Sequence, residues 1–243
     1  MIFSVISPVI AAQTTVYAFE LINRMGTAKD QQYDLLWQDM RKQGVEVDLQ
    51  LKSFTRYKRA FKKDTNSCIF PANLDVVTKV VGKKSKAKFI SAESVDYVGL
   101  VAITEAGDTK IETRADLAEK NIAISPILNS SNFLQGIDSA ALKLADNNEV
   151  LLKMLYRHKV DAIIAFMPDI LLAAKKLNYP LPHSTDIWFI KKHPISIVCH
   201  DTANNRIFVQ QFNKQLQQLK KSGRLREIMG PLVNLGDGSA EYY

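Results

Sequence analysis

The residues best placed to do chemistry in this 243-residue chain are cations and small polar side chains, not nucleophiles or metal ligands. In the stretch from Thr55 to Asn73, Arg56, Arg59 and Lys63 recur at i, i+3 and i+7, which puts them on one face of a helix. The planar fork of Arg59 can hold a carboxylate through two parallel hydrogen bonds; alternatively Arg59 pairs with Asp64 on a solvated basic face. Asn129, Ser130, Ser131 and Asn132 form a polar cluster ahead of a helical pattern carrying Phe133, Ile137, Ala140, Ala141 and Leu144. Free amides and the positive end of the helix dipole favour an anion there, although Ser131 can equally serve only as an N-cap. Cys68 and Cys199 are too few for a disulfide scaffold and lack metal-ligand spacing; they form one bridge if the protein is exported, or stay as two buried thiols. The four histidines show no HExxH or i, i+4 pairing, so no metal site is expected. There is no GxSxG elbow, glycine-rich phosphate loop or pair of carboxylates at a strand end. Asp161 and Asp169 read as a strand-start residue and a helix first-turn residue. These absences argue against catalysis, and no cofactor is expected.

The elements that would position these residues follow from periodicity. A strand over Thr15–Phe19 precedes a helix over 31–42, whose Tyr33, Leu36, Trp37 and Met40 share one face and which ends at Gly44. Val45 to Lys52 alternates as a strand, with Val45, Val47, Leu49 and Leu51 on one side. A basic helix capped by Thr55 and turned inward at Tyr57, Ala60 and Phe61 then leads to a short strand at Cys68–Phe70. This βαβαβ opening implies a parallel sheet with right-handed crossovers, whose ligand edge lies at the carboxyl ends of the strands. Further strands are expected over 95–104, 121–125 and 160–166, with helices after Thr113, over 149–157 and from Asp169, a second αβ repeat of the same kind. Segments bearing Pro180, Pro182 and Pro194 flank short apolar runs at 187–190 and 195–199. A long helix lined by Ile207, Phe208, Phe212, Leu216 and Leu219 closes the chain, followed by a short helix over 224–229.

A formal charge of +7 raises the possibility of nucleic acid, yet the densest lysine run, Lys83 to Lys88, has no interleaved aromatics to stack bases, and it reads as a solvated turn. No apolar run reaches the length of a membrane span. Met1 to Ala12 is apolar and ends in small residues, as an export signal does, but it lacks a positive n-region; it is a signal segment, possibly truncated, or a buried first segment.

The order of elements resembles the type 2 periplasmic solute-binding proteins, specifically the extracellular solute-binding protein family 3 that includes amino-acid-binding proteins of ABC transporters. Four stretches carry the resemblance: Arg59-Ala60-Phe61 with Cys68-Ile69-Phe70-Pro71, Thr113 to Ile124, Arg157 to Ile164, and Gln211 to Met229. The resemblance implies an α/β fold of two lobes, one built from residues 13–101 and 194–243 and the other from 102–193, joined by two hinge crossovers. It implies a small polar solute bound between the lobes and passed to an ABC permease from a periplasmic, monomeric protein. A ligand-sensing module of a membrane receptor, or an enzyme on the same scaffold, are the alternatives. Nucleic acid is not expected as a partner. The same resemblance sets the strands of Cys68 and Cys199 side by side, where a disulfide is geometrically reasonable. It places Phe19, Glu20, Tyr57, Arg59 and Asn73 on the first lobe's side of the site and Ser130, Ser131, Asn132 and Phe166 on the second's. Two departures stand out: Phe166 occupies the position of the acid that holds a ligand ammonium, and residues 72–76 lack the arginine that holds its carboxylate.

Overall fold

The computed structural model describes residues 13–21, 23–27, 29–81, 88–105, 111–129, 137 and 142–238. The apolar start over 1–12, most of the lysine run, and the Ser130, Ser131 and Asn132 cluster lie outside the described residues. The chain divides into two compact units, one from residues 13–20, Trp37–Glu93 and Ser196–Ser222, the other from Leu21–Leu36, Ser94–Ile195 and residues 223–238.

In the first unit the parallel strands β1 (Thr14–Phe19), β2 (Val47–Lys52) and β3 (Cys68–Ala72) lie in the order β2-β1-β3. The C-terminal part of a long strand pairs antiparallel with β3 on one side and with a short strand at Phe89–Ser91 on the other. Numbered in chain order, that short strand is β4, and the long one is β9 (His183–His200). Helix α1 (Gln32–Lys42) buries Tyr33, Leu36, Trp37 and Met40, the face expected from their spacing. It stops at Gly44, whose φ of 82° lets the Val45 amide turn back to the Met40 carbonyl at 3.0 Å. Val45 and Val47 are buried, but Leu49 and Leu51 are only half-buried, because β2 is the outermost strand of the β1 side.

Helix α2 (Phe54–Lys63) begins at Ser53 rather than Thr55, so its first turn follows β2 directly; Tyr57 and Phe61 are its buried residues. Helix α3 (Leu74–Val80), absent from the sequence reading, is capped by Asn73, whose side-chain oxygen accepts the Val76 amide at 3.2 Å. Tyr57 and Phe61 of α2 and Val77 of α3 pack with Ile69 and Val198 in one apolar cluster, so both helices cover the same face of this sheet. The closing helix α8 (Ala203–Lys221) covers the unit with Phe208, Phe212, Leu216 and Leu219, and Trp37 lies against Phe70 and Phe212, each at a ring separation of 5.6 Å.

The second unit repeats this plan. Strands β6 (Ile122–Ile124), β7 (Leu142–Leu144) and β8 (Ala162–Met167) are parallel in the order β7-β6-β8. An antiparallel β5 (Asp96–Thr104) then pairs with the N-terminal part of β9. Helices α4 (Arg114–Ala118), α5 (Pro126–Asn129), α6 (Asn148–Tyr156), α7 (Asp169–Lys176) and α9 (Arg224–Met229) complete the unit. Thr113 and Asp116 form a reciprocal capping box on α4, as the sequence suggests. The expected helix through Leu144 is corrected at its end: residues 142–144 are strand, because β6 has an edge that the Leu142 register fills. The two proline-broken runs near 187–199 are one strand; Pro194 stands in regular register opposite Tyr97, whose amide donates to the Asn234 carbonyl at 2.8 Å, and the register shifts against β5 lie further along, between Val98 and Ile103.

Cys68 and Cys199 stand opposite each other in the β3–β9 register and are joined by a disulfide spanning 131 residues of sequence. Closing so long a loop removes conformational freedom chiefly from the unfolded chain. The Cys68→Ala, Cys199→Ala double variant is expected to lose about 2–5 kcal/mol of stability in urea unfolding. Reductant should lower the wild type to the same value and leave the variant unchanged; equal stability of the two oxidised proteins would contradict this.

Candidate functional site

Parallel α/β sheets present their ligand edge at the carboxyl ends of the strands, where the chain turns into helices and leaves polar and aromatic groups free. In the first unit that edge is made by Phe19, which ends β1, by the start of α2 after β2, and by Asn73 after β3. Phe19, Phe54 and Tyr57 meet there: the Phe19 ring lies 5.0 Å from that of Phe54 and 4.7 Å from that of Tyr57, and Phe54 lies 5.5 Å from Tyr57. Phe19 and Phe54 are half-buried while Tyr57 is buried, so the triad is anchored in the core and shows two ring surfaces to its surroundings. Burial pushes the Tyr57 phenol above its ordinary value, which keeps it protonated. Lys58 lies 3.9 Å from the Phe54 ring centre, a cation–π contact; burial and the neighbouring Lys62 lower its pKa.

Of the residues singled out from sequence, Phe19 and Tyr57 are thus brought together, and Glu20 follows Phe19 as an exposed acid. Asn73 is at the same edge, but its side-chain oxygen is committed to capping α3. Arg59 is exposed on the face of α2 opposite Tyr57 and Phe61. Its alternative partner Asp64 instead accepts from the Tyr17 hydroxyl at 3.1 Å and from the Asn66 amide at 3.1 Å. In the second unit Phe166 is half-buried in β8, opposite Leu100 of β5, and packs on the apolar cluster of Leu100, Ile124 and Ile164.

The feature not foreseen from sequence is a buried ionic cluster in the second unit. Arg24, 1 % exposed, forms a salt bridge with fully buried Asp96 at the head of β5 and reaches Asp169 at the head of α7 at 3.4 Å. Its Nε donates to Gln32 at 3.2 Å, Gln32 donates to the Met229 carbonyl, and its guanidinium lies 4.2 Å over the Tyr33 ring. Tyr33 donates its hydroxyl to Asp96 at 3.0 Å. Burial opposes the charge on Arg24, but Asp96, Tyr33 and Asp169 outweigh it and hold the guanidinium protonated. Burial, reinforced by the Asp96 carboxylate and only partly offset by Arg24, raises the Asp169 carboxyl above its ordinary value. Its sequence signals are faint: Asp96 and Asp169 are lone acids heading otherwise apolar segments, and nothing in a linear sequence pairs them with Arg24. Asp161, the other acid weighed, accepts the Asn121 amide at 2.7 Å and ties the head of β8 to that of β6.

No protein-family profile and no curated protein sequence matches the chain. Among solved structures, the chain is similar to the GluR0 ligand-binding core from Nostoc punctiforme in complex with L-glutamate, at 17 % identity and a TM-score of 0.65, over 88 % of this chain and 96 % of that one. It is similar to a histidine kinase sensor domain that itself resembles periplasmic binding proteins, at 11 % identity and a TM-score of 0.66, over 92 % and 98 %. It is also similar to the substrate-binding protein of an amino acid ABC transporter, at 14 % identity and a TM-score of 0.61, over 89 % and 97 %. The fold is therefore the α/β fold of periplasmic binding proteins.

Two outcomes follow from the cluster. Arg24→Ala strands the fully buried Asp96 carboxylate, so it is expected to cost about 3–5 kcal/mol in chemical unfolding, and Arg24→Lys to recover only part of that because the fork is lost. Full stability of Arg24→Ala would show that the pair is dispensable. Asp169 binds its proton more tightly in the native than in the unfolded chain, so its contribution falls as pH rises from about 4 through the folded value. The Asp169→Asn protein is expected to lack that decline; identical pH slopes in the two proteins would refute the assignment.

Proposed function

We propose that the chain is a non-catalytic, monomeric binding module for a small polar solute, amino-acid-like or otherwise charged. The observation that carries this reading is the aromatic triad of Phe19, Phe54 and Tyr57 at the carboxyl edge of the first unit's strands, anchored on the inside and open at Phe19 and Phe54. In this reading Phe19 and Phe54 pack the apolar part of the solute, with the buried Tyr57 holding them from behind. Glu20, exposed and next in sequence, meets a cationic group, a role that Asp169 cannot take while Arg24 holds it. Asn73 would offer its backbone, its side chain being used by α3; Phe166, Ser130, Ser131 and Asn132 are the candidate contacts of the second unit, taken by itself.

The protein works outside the reducing cytoplasm, exported to the periplasm by its apolar start, and hands its solute to an ABC permease. The Cys68–Cys199 disulfide supports export, since such bonds persist in oxidising compartments. The sensing alternative, in which the same module reports to a membrane receptor, uses the same edge and the same solute.

A thermal-shift screen of the purified protein against L-arginine, L-glutamine, putrescine, succinate, glucose and alanyl-alanine tests the reading. Solutes bearing an ammonium or guanidinium are expected to stabilise, by about 2.7 kcal/mol at a hundredfold excess over Kd. Phe19→Ala is expected to weaken that binding at least about tenfold, the scale of one lost hot-spot contact, and Glu20→Gln to weaken cationic solutes selectively. No stabilisation by any of these compounds, or equal binding by Phe19→Ala, would overturn it.

A further inference from the structure

We propose that the outer surface formed by α2 and α3 of the first unit docks onto an anionic lipid bilayer, an assignment independent of the solute reading. Over the whole chain the net charge is +7, but the two units share it unevenly. The first holds 17 lysines and arginines against 8 acids, a net +9, and the second 15 against 17, a net −2.

Within the first unit the charge concentrates on α2. Arg56, Arg59, Lys62 and Lys63 are exposed on it, no acid stands anywhere in its ten residues, and none of the four has an acidic partner among the described residues. Because Tyr57 and Phe61 point into the core, these cations face outward as a group. Like charges this dense repel one another, so the helix carries an electrostatic cost that a negative surface would relieve.

What favours lipid over an acidic protein is the neighbouring helix. Val76 and Val80, one turn apart on α3, are 41 % and 57 % exposed, among the most exposed large apolar side chains of the described residues, and Lys79 is exposed beside them. Asp75 is the one acid on that helix. Since α2 and α3 cover the same face of the sheet, their outer surfaces together offer five exposed cations against the single acid Asp75, with short apolar side chains beside them. That combination suits the headgroup region of a bilayer, where cations meet lipid phosphates and apolar groups enter the acyl boundary.

Co-sedimentation with vesicles of phosphatidylcholine containing about one-third phosphatidylglycerol tests the proposal, with pure phosphatidylcholine vesicles as the neutral reference. The wild type is expected to bind only the anionic vesicles and to be released as NaCl rises from about 0.05 to 0.5 M. Replacing Arg56, Arg59, Lys62 and Lys63 together by Gln is expected to weaken binding on the order of a hundredfold, several-fold per cation. Val76→Ser with Val80→Ser should weaken it further at high salt. A control with the same loss of charge in the second unit, Arg157, Lys159, Lys175 and Lys192 to Gln, is expected to bind as the wild type does, and circular dichroism confirms that each variant is folded. Absence of wild-type binding, equal binding by the α2 variant, or an equal loss in the control would each overturn the proposal. Capture by immobilised polyglutamate without vesicle binding would overturn it in favour of an acidic protein.

Discussion

A guanidinium removed from water must be neutralised and its donors satisfied, and the second unit is arranged around that demand at Arg24. The residues that answer it come from distant parts of the sequence: Gln32 and Tyr33 open α1, Asp96 opens β5, Asp169 opens α7, and Gln32 passes the network on to the last carbonyl of α9. Each lies at the end of an element rather than in its middle, so one side chain sets where several elements begin. One guanidinium is shared by two carboxylates, and burial raises the carboxyl of Asp169, the less enclosed of the pair by surface exposure, above its ordinary value. It also removes from the head of α7 an acid that could otherwise hold a ligand's cation.

The first unit is held differently. Its strands repeat the topology of the second, three parallel strands followed by an antiparallel one, but the tie across that junction is covalent, at Cys68 and Cys199. With the sheet fixed there, the carboxyl edge can display Phe19 and Phe54 half-open over a buried Tyr57. The same α2 that brings Phe54 and Tyr57 to that edge turns its cations outward, so one ten-residue helix serves two surfaces through its two faces.

The parts of this fold legible in sequence are those where burial imposes a period. Tyr33, Leu36, Trp37 and Met40 mark α1, and the apolar run of 162–166 marks β8, because each faces a core along its length. Where an element is short or lies at an edge the pattern thins: β4 and β7 have three residues each, and β7 ends in an exposed Leu144. Proline misled in β9, since Pro194 stands opposite Tyr97, whose amide bonds Asn234 instead, at a place where the ladder asks for no donor. Helix α3 is legible only through Asn73, a residue with two readings, ligand contact and cap. The Cys68–Cys199 pairing followed from the resemblance and not from spacing. In the candidate site, Phe19 and Tyr57 were legible because position at a strand end and helical spacing are local properties. Phe54 was not, since the helix was read as starting at Thr55, and Arg24 was not, since Asp96 and Asp169 reach it by tertiary contact alone.

The central claim is that the Phe19 edge receives a solute, and a reporter on that residue tests it most directly. With 4-fluorophenylalanine at position 19, fluorine NMR during titration with L-arginine reads the environment of that one ring. A saturable change in the fluorine resonance is expected, moved to higher L-arginine concentration by Glu20→Gln and absent with succinate. A resonance that does not move while L-arginine binds elsewhere on the protein would contradict it.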